Sequence, residues 1–136
     1  MRWHAPFRYA WASPATLIGL SLVPIVWLQG GSVRVVGGVV EVHGGIVASL
    51  LRRGFPWIGA GAAALTLGHV VWGLDAECLA RSREHERVHV RQYERWGPFF
   101  IPAYLLDSLI LRLRGFDPYL DNRFEREAFA ETDTAT

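Results

Sequence analysis

The stretch Ser82 to Trp96 reads SREHERVHVRQYERW and contains the pattern His-Glu-x-x-His from His85 to His89. Two histidines four residues apart face the same way only on a helix, where residues i and i+4 lie about one turn apart. A long helix must therefore pass through this region. No other feature constrains the fold as strongly, because the rest of the chain has to bring further side chains to the face that the two histidines share.

The spacing of these histidines suits a divalent metal ion. Two neutral imidazoles one turn apart can bind one Zn²⁺, while Glu86 lies off the metal yet near enough to hold a metal-bound water. The competing interpretation is a solvated, Arg- and Glu-rich helix that produces the pattern by chance. Gln92 and Trp96 continue the histidine stripe at i+7 and i+11, so this face is neither charged nor simply apolar. That composition favours a site.

A third ligand is needed, because catalytic zinc usually has three protein ligands and an open position for water. No histidine follows His89, and the single cysteine, Cys78, excludes a Cys₄ or Cys₂His₂ site and any internal disulfide. The third ligand must then be a carboxylate. Glu125 and Glu127 cannot both face the metal, being about 200° apart on a helix, and Glu125 could instead form a capping box with Asn122. The available carboxylates are Glu94, Asp107, Asp117, Asp121, Glu125, Glu127, Glu131 and Asp133.

The N-terminal residues 1–31 form an apolar segment that is a membrane-anchor candidate. The run from Tyr9 to Gly31 is uncharged and about as long as a membrane span requires, and tryptophans flank it. Two other interpretations remain open. Instead of a membrane anchor, the segment could be a buried or in-plane helix kinked at Pro24. It could also be a cleaved signal peptide, although no convincing cleavage site follows it.

Residues 32–131 are predicted to be one α+β domain, and residues 132–136 a disordered Thr-rich tail. Gly37-Gly38 between two β-branched runs indicates a β-hairpin, and a short amphipathic segment follows over residues 46–57. Leu65–Trp72 is predicted to be a single strand because of its β-branched content; the alternative is a second, short membrane segment within the uncharged run Trp57–Leu74. The predicted helices cover 75–96, with Asp75 as N-cap and a stop at Gly97-Pro98, then a strongly apolar helix over 99–115 and a short helix over 122–131. The charges of the apolar helix make it a poor membrane span, so it fits the core or the membrane interface.

These residues together resemble the gluzincin class of zinc metallopeptidases, in which His-Glu-x-x-His on one helix is completed by a glutamate from a later helix. The later helix of HtpX-like members reads Glu-x-x-Ala-Asp, and this chain has Glu-Arg-Glu-Ala-Phe at 125–129. Alignment on the alanine selects Glu125. Phe129 stands where those members carry an aspartate that supports a zinc-binding histidine, so Asp121, Asp107 or a backbone carbonyl is expected to take that role. The resemblance extends over about residues 65–130.

The resemblance implies a minimal zincin-like core, built from the site helix, the second apolar helix, the short C-terminal helix and a small sheet. It implies zinc bound by His85, His89 and Glu125, with Glu86 as general base in peptide-bond cleavage. Tyr104 and Tyr119 are candidate oxyanion donors, and the predicted strand could pair with an extended substrate. His69 is expected to be a packed strand residue and not a ligand.

The expected partners are a peptide or protein substrate and a membrane, and the implied location is a bacterial cell membrane. Net charge is +1, and the arginines of the C-terminal half are mixed with acids. This gives no nucleic-acid footprint. Two alternatives to an enzyme stay open: a non-catalytic zinc-binding scaffold at the membrane, and a membrane interaction protein in which the motif is accidental.

Overall fold

The computed structural model describes residues 4–53 and 63–134, which adopt an α+β fold with a four-stranded mixed sheet. An apolar helical segment precedes the sheet, as the sequence predicts. The elements, in chain order, are α1 His4–Leu20, α2 Val23–Leu28, β1 Ser32–Val36, β2 Val39–His43, α3 Gly45–Arg53, β3 Ala64–Leu67, β4 Val70–Gly73, α4 Ala76–Trp96, a 3₁₀ turn Gly97–Phe99, α5 Phe100–Leu113 and α6 Arg123–Thr134.

The sheet has the strand order β1-β2-β4-β3. The hairpin predicted at Gly37-Gly38 is confirmed: both glycines have positive φ, and β1 and β2 pair antiparallel across them. β2 then pairs in parallel with β4, in a register that sets Val42 opposite Trp72. Under the sheet, Val42 and Trp72 pack with α2 and α3 in an apolar core that also includes Val26, Val47, Leu51 and Val70.

The prediction of a single strand over Leu65–Trp72 is wrong. The chain reverses at Gly68, whose φ of +63° is open to glycine at little cost, and β3 and β4 form a second antiparallel hairpin. The reversal makes β4 a central strand, so all four of its residues are buried. His69 accordingly lies in the turn and not in a strand.

The bounds of α4 agree with the prediction. The Asp75 side chain caps the first turn by accepting a hydrogen bond from the Cys78 amide at 2.8 Å. Gly97 ends the helix with a φ of +57°. One face of α4 packs on the sheet through Leu79 and Val90, which leaves the adjacent face, with the histidines, turned toward α5 and α6.

The N-terminal segment forms two helices, separated by a turn at Ser21-Leu22, with Pro24 in the first turn of α2. Together Pro6–Leu28 are long and apolar enough to cross a membrane, although a signal sequence or a buried helix has the same length and composition. At the other end, α6 continues to Thr134, three residues into the segment that the sequence predicts to be a disordered tail. Residues 54–57 of the predicted amphipathic segment lie outside the described residues.

Candidate metal centre

The structure brings His85, His89 and Glu125 together, so this group could hold a metal ion. Their ligand atoms all lie within 4.8 Å of one another. One carboxylate oxygen of Glu125, Oε1, is 2.9 Å from His85 Nε2 and 3.1 Å from His89 Nε2. His89 and Glu125 are buried and the side chain of His85 is only 14% exposed, so the two nitrogens and the oxygen converge on one small, mostly dry volume.

Asn122 places Glu125 at this point. It is fully buried, and its Oδ1 caps α6 by accepting from the Phe124 amide at 2.9 Å. Its amide donates to the Tyr104 carbonyl and to Ser108 Oγ, both on α5. Asn122 is thus the N-cap that the sequence predicts, but Glu125 does not complete a capping box; its carboxylate faces the histidines of α4.

Gln92 fixes which nitrogen of His89 is free to bind a cation. Its amide group donates to two acceptors, the Phe124 carbonyl at 3.0 Å and Glu127 Oε1 at 2.5 Å. The orientation of the amide is therefore determined by its partners, and its oxygen must be the atom 2.7 Å from His89 Nδ1. Nδ1 consequently carries the hydrogen, and in a neutral imidazole Nε2 then presents a lone pair.

That tautomer requires a positive charge beside Nε2. In neutral His89 the lone pair of Nε2 would face the lone pairs of Glu125 Oε1 at 3.1 Å, which is repulsive unless a proton or a metal cation lies between them. With a proton there, burial by itself would lower the pKa of His89, but the hydrogen bond and charge of Glu125 outweigh it and raise that pKa to about 9. Hydrogen bonds from both histidines likewise outweigh burial at Glu125 and lower its pKa to about 2.

Glu86 borders this group on the side of the sheet. It is buried, and its Oε1 accepts a hydrogen bond of 2.8 Å from the Thr66 hydroxyl on β3. Its Oε2 is 4.0 Å from His85 Nε2, which is beyond hydrogen-bond contact. Burial raises the pKa of Glu86 and outweighs the opposing effects of His89, of the Thr66 hydrogen bond and of His85.

The two tyrosines predicted as oxyanion donors both lie next to Glu125. Tyr104 donates to Glu125 Oε2 at 2.6 Å, so its hydroxyl is occupied in holding the carboxylate. Burial, followed by the charge of Glu125, raises the pKa of Tyr104 and of Tyr119 above the ordinary range. Both hydroxyls therefore remain protonated at neutral pH, and that of Tyr104 is already used in the hydrogen bond to Glu125.

Neither of the two aspartates expected to replace the missing aspartate at Phe129 does so. Asp107 accepts from the Arg123 amide, and Asp121 accepts from the Asp117 amide, so neither carboxylate supports a histidine. The Phe129 ring packs edge-on against His85 with 4.6 Å between ring centroids. Support of His89 comes from Gln92. The sequence placed Gln92 on the site face, but its role depends on α6 partners that spacing alone does not reveal.

Three of the other carboxylates considered as ligands are engaged elsewhere. Glu94 is 2.8 Å from Nε2 of His69, which is buried and not a member of the metal-binding group. Glu127 bonds Gln92 and Arg95, and Glu131 pairs with Arg91. Within residues 4–53 and 63–134, only His85, His89 and Glu125 form a group of His, Cys, Asp or Glu with metal-binding spacing.

Thr66 also limits the predicted pairing of a substrate with the sheet. β3 is an edge strand, as that pairing requires. However, the Thr66 carbonyl already accepts from the buried Tyr93 hydroxyl at 2.9 Å. A peptide added along β3 could not use this carbonyl unless Tyr93 moved.

Comparison of the chain with family models, with curated proteins and with solved structures gives no match.

Proposed function

We propose that the protein is a membrane-associated, zinc-dependent hydrolase of gluzincin type that cleaves peptide bonds. The observation that carries the proposal is the arrangement at His89, where Gln92 directs a lone pair of Nε2 toward the point shared with His85 Nε2 and Glu125 Oε1. A second imidazole and a carboxylate at that point form an N₂O donor set, which suits zinc better than calcium or magnesium. When bound, zinc supplies a Lewis acid that brings the pKa of water toward 7 and polarises a carbonyl.

Glu86 is the proton acceptor in this proposal. Its carboxylate lies beside the shared point, with Oε2 free of the Thr66 hydrogen bond that holds Oε1. Because burial raises its pKa, Glu86 is a stronger base than an exposed glutamate. Thr66 keeps the carboxylate oriented, so that the proton transferred from water is received at Oε2.

Tyr104 and Tyr119 have separate roles. Tyr104 is a positioning residue, because its 2.6 Å hydrogen bond holds Oε2 of Glu125 and directs Oε1 toward the histidines. Tyr119 is the better candidate for the oxyanion donor. It is half-buried and its ring lies 6.2 Å from the half-exposed Phe129, whose own ring contacts His85.

The proposal is tested by separating metal binding from chemistry in the purified full-length chain. Glu86→Gln should bind one zinc per chain with affinity close to wild type, yet lose cleavage of a peptide library by about 10² to 10⁴-fold. Glu125→Gln is the matched control at a second buried glutamate and should lose zinc as well as activity. A wild-type protein that holds no near-stoichiometric zinc refutes the whole proposal and favours an accidental motif.

A second candidate is a zinc-binding scaffold at the membrane without catalysis. The closure of the site favours it: Glu86 is 7% exposed and Glu125 is 5% exposed, which leaves a substrate carbonyl little access to either carboxylate. Stoichiometric zinc in a wild type that cleaves no peptide in the presence of membranes would support the scaffold. In that case Glu86→Gln would change neither zinc content nor any rate.

A further inference from the structure

The exposed face of α1 and α2 is apolar, although the opposite face of α1 is docked on the domain. Ala12 and Ala15 are buried against the domain, where they pack with residues of α4, α5 and α6. The large side chains on the other face are solvent-exposed in this structure. They are Phe7, Leu17, Ile18, Ile25, Trp27 and Leu28, with Trp27 71% and Leu28 81% exposed.

Hydrogen bonds fix α1 lengthwise against the domain. Near its start the Tyr9 hydroxyl donates to the Gly38 carbonyl and Trp11 Nε1 donates to the Arg95 carbonyl. Near its end the Thr16 hydroxyl accepts from the His69 amide, and Trp72 Nε1 donates to the Gly19 carbonyl. These partners belong to the sheet, its turns and the end of α4, so the helix cannot leave its groove without breaking all four contacts.

Docking of this kind is incompatible with α1 crossing a bilayer. If the docked helix stood across the membrane, the neighbouring His69–Glu94 ion pair and Arg95 would have to enter the hydrocarbon with it. Ionised groups at that depth are strongly disfavoured. A helix that lies in the plane of the interface avoids this cost, because its apolar face enters the lipid while the docked face stays with the domain.

α5 presents a second apolar face of the same type. Phe100, Tyr104 and Ser108 point inward to the metal centre and to α6. On the opposite side Leu106 is 57% exposed and Leu113 is 77% exposed. Ile110 between them and Pro102, one turn before Leu106, are exposed on the same side.

The two apolar faces join at the start of α5. Phe7 stacks on Trp11, and the Trp11 ring lies 6.1 Å from that of Phe99, which is 61% exposed and immediately precedes α5. An exposed apolar surface this extended is rare on a protein that meets only water, and it marks a membrane or a protein partner.

The charges around this surface select a lipid partner. Across α1, α2, α3 and α5 the only acid is Asp107, whose carboxylate accepts from the Arg123 amide. Exposed arginines accompany the apolar residues, namely Arg8 on α1, Arg52 and Arg53 at the end of α3, and Arg114 after α5. Anionic headgroups bind such arginines while the acyl region receives the apolar side chains.

We infer that the protein is monotopic: the outer faces of α1, α2 and α5 form one surface that lies in the headgroup region of an anionic membrane. This inference rests on the membrane association in the proposed function, not on the zinc chemistry. Together with the proposed hydrolysis, it also assigns the substrate class. Since α5 carries Tyr104 on its inner face, the metal centre lies one helix away from the lipid, and its substrates would be peptide segments at the membrane surface.

The test measures the depth of spin labels on the full chain in mixed phosphatidylcholine and phosphatidylglycerol vesicles. In a Cys78→Ala background, single cysteines replace Leu17, Ile25, Leu106 and Leu113, and Glu84 on the charged side of α4 is the control. Oxygen should relax the first four labels more strongly than an aqueous nickel chelate does, and the four labels should lie at a similar shallow depth in the bilayer. The control label at position 84 should be relaxed more strongly by the nickel chelate. Arg52→Gln with Arg53→Gln should lower vesicle binding on the order of tenfold.

Three results would overturn the inference. A deep label at position 17 with water-exposed labels at 106 and 113 means a spanning anchor with α5 in solvent. Labels at 106 and 113 shielded from both reagents mean a protein partner or a second copy. Equal aqueous access at all five positions means no membrane contact. A His85→Ala, His89→Ala variant should keep the wild-type depths, so failure of the metal centre and failure of the membrane surface can be told apart.

Discussion

Gln92 provides the sharpest test of the metal centre, because its three hydrogen bonds can be removed with little change in side-chain size. Gln92→Leu takes away the acceptor for His89 Nδ1 and both donors, to the Phe124 carbonyl and to Glu127. His89 then loses the contact that fixes its tautomer and ring orientation. Loss of such a contact behind a metal ligand typically weakens metal binding about 10- to 100-fold.

The cost in stability can be separated from the cost in affinity. Gln92 is fully buried, so Gln92→Leu leaves the Phe124 carbonyl without its donor, which costs about 1–3 kcal/mol. Denaturant titrations in excess chelator measure that loss without metal. Zinc affinity is measured on folded protein by competition with a chromogenic chelator, and the visible spectrum of the cobalt-substituted protein reports the ligand geometry.

A charge swap supplies the matched control. Gln92→Glu alone sets a buried carboxylate beside Glu127 Oε1, so both stability and affinity should fall. Adding Glu127→Gln places an amide donor opposite the new glutamate at position 92. The carboxylate at position 92 can still accept the hydrogen bond from His89 Nδ1, so the zinc affinity should recover to at least the wild-type value. Glu127→Gln alone should change affinity little. If Gln92→Leu binds zinc as tightly as wild type, the inference that Gln92 prepares His89 for a cation is refuted.

Two further predictions concern stability. Arg83 donates twice to the buried Glu41 and, with Arg87, lowers the pKa of Glu41 below its ordinary 4.5. The stability that this ion pair contributes is therefore present above about pH 4.5 and is lost as the pH falls below that value. Glu41→Gln should be less stable than wild type at pH 7, and the difference in unfolding free energy should shrink toward pH 3. A difference that does not depend on pH would contradict the ion pair. Gly97→Ala should lower the free energy of unfolding, measured by denaturant titration, by more than about 1–3 kcal/mol, because the φ of +57° is strained for alanine and the added Cβ meets Trp11. Gly115→Ala is the control for backbone strain alone, since its φ is +82° and no atom lies within 4 Å of the added Cβ. Equal losses in the two variants would exclude a role for the Trp11 contact.

The elements that the sequence predicts well are those set by local chemistry. Asp75 caps α4 through its own first turn and Gly97 ends it, so both bounds are visible in the sequence. The hairpin at Gly37-Gly38 is equally local. The second hairpin was missed because Gly68 is a single glycine inside a β-branched run, and only the pairing of β4 with β2 makes the reversal favourable.

The residues of the metal centre are likewise only partly predictable from the sequence. The positions of His85 and His89 follow from helical spacing, whereas Glu125 reaches them from 36 or more residues away, so spacing could offer it only as one carboxylate among several. Tyr104 and Gln92 act through Glu125 and α6, and Thr66 acts through β3. These roles depend on how the helices and the sheet pack, which no local pattern encodes.

The docking of α1 also sets an order of events during synthesis. Trp11 is paired with the carbonyl of Arg95, 84 residues later in the chain. At roughly 5–20 residues per second, about 4–17 s pass between translation of these two residues. Throughout that interval α4 is incomplete, so the groove that α1 occupies in the folded chain has not formed. A membrane or a targeting factor can therefore engage α1 first, and the domain then assembles at the surface where its helix already lies.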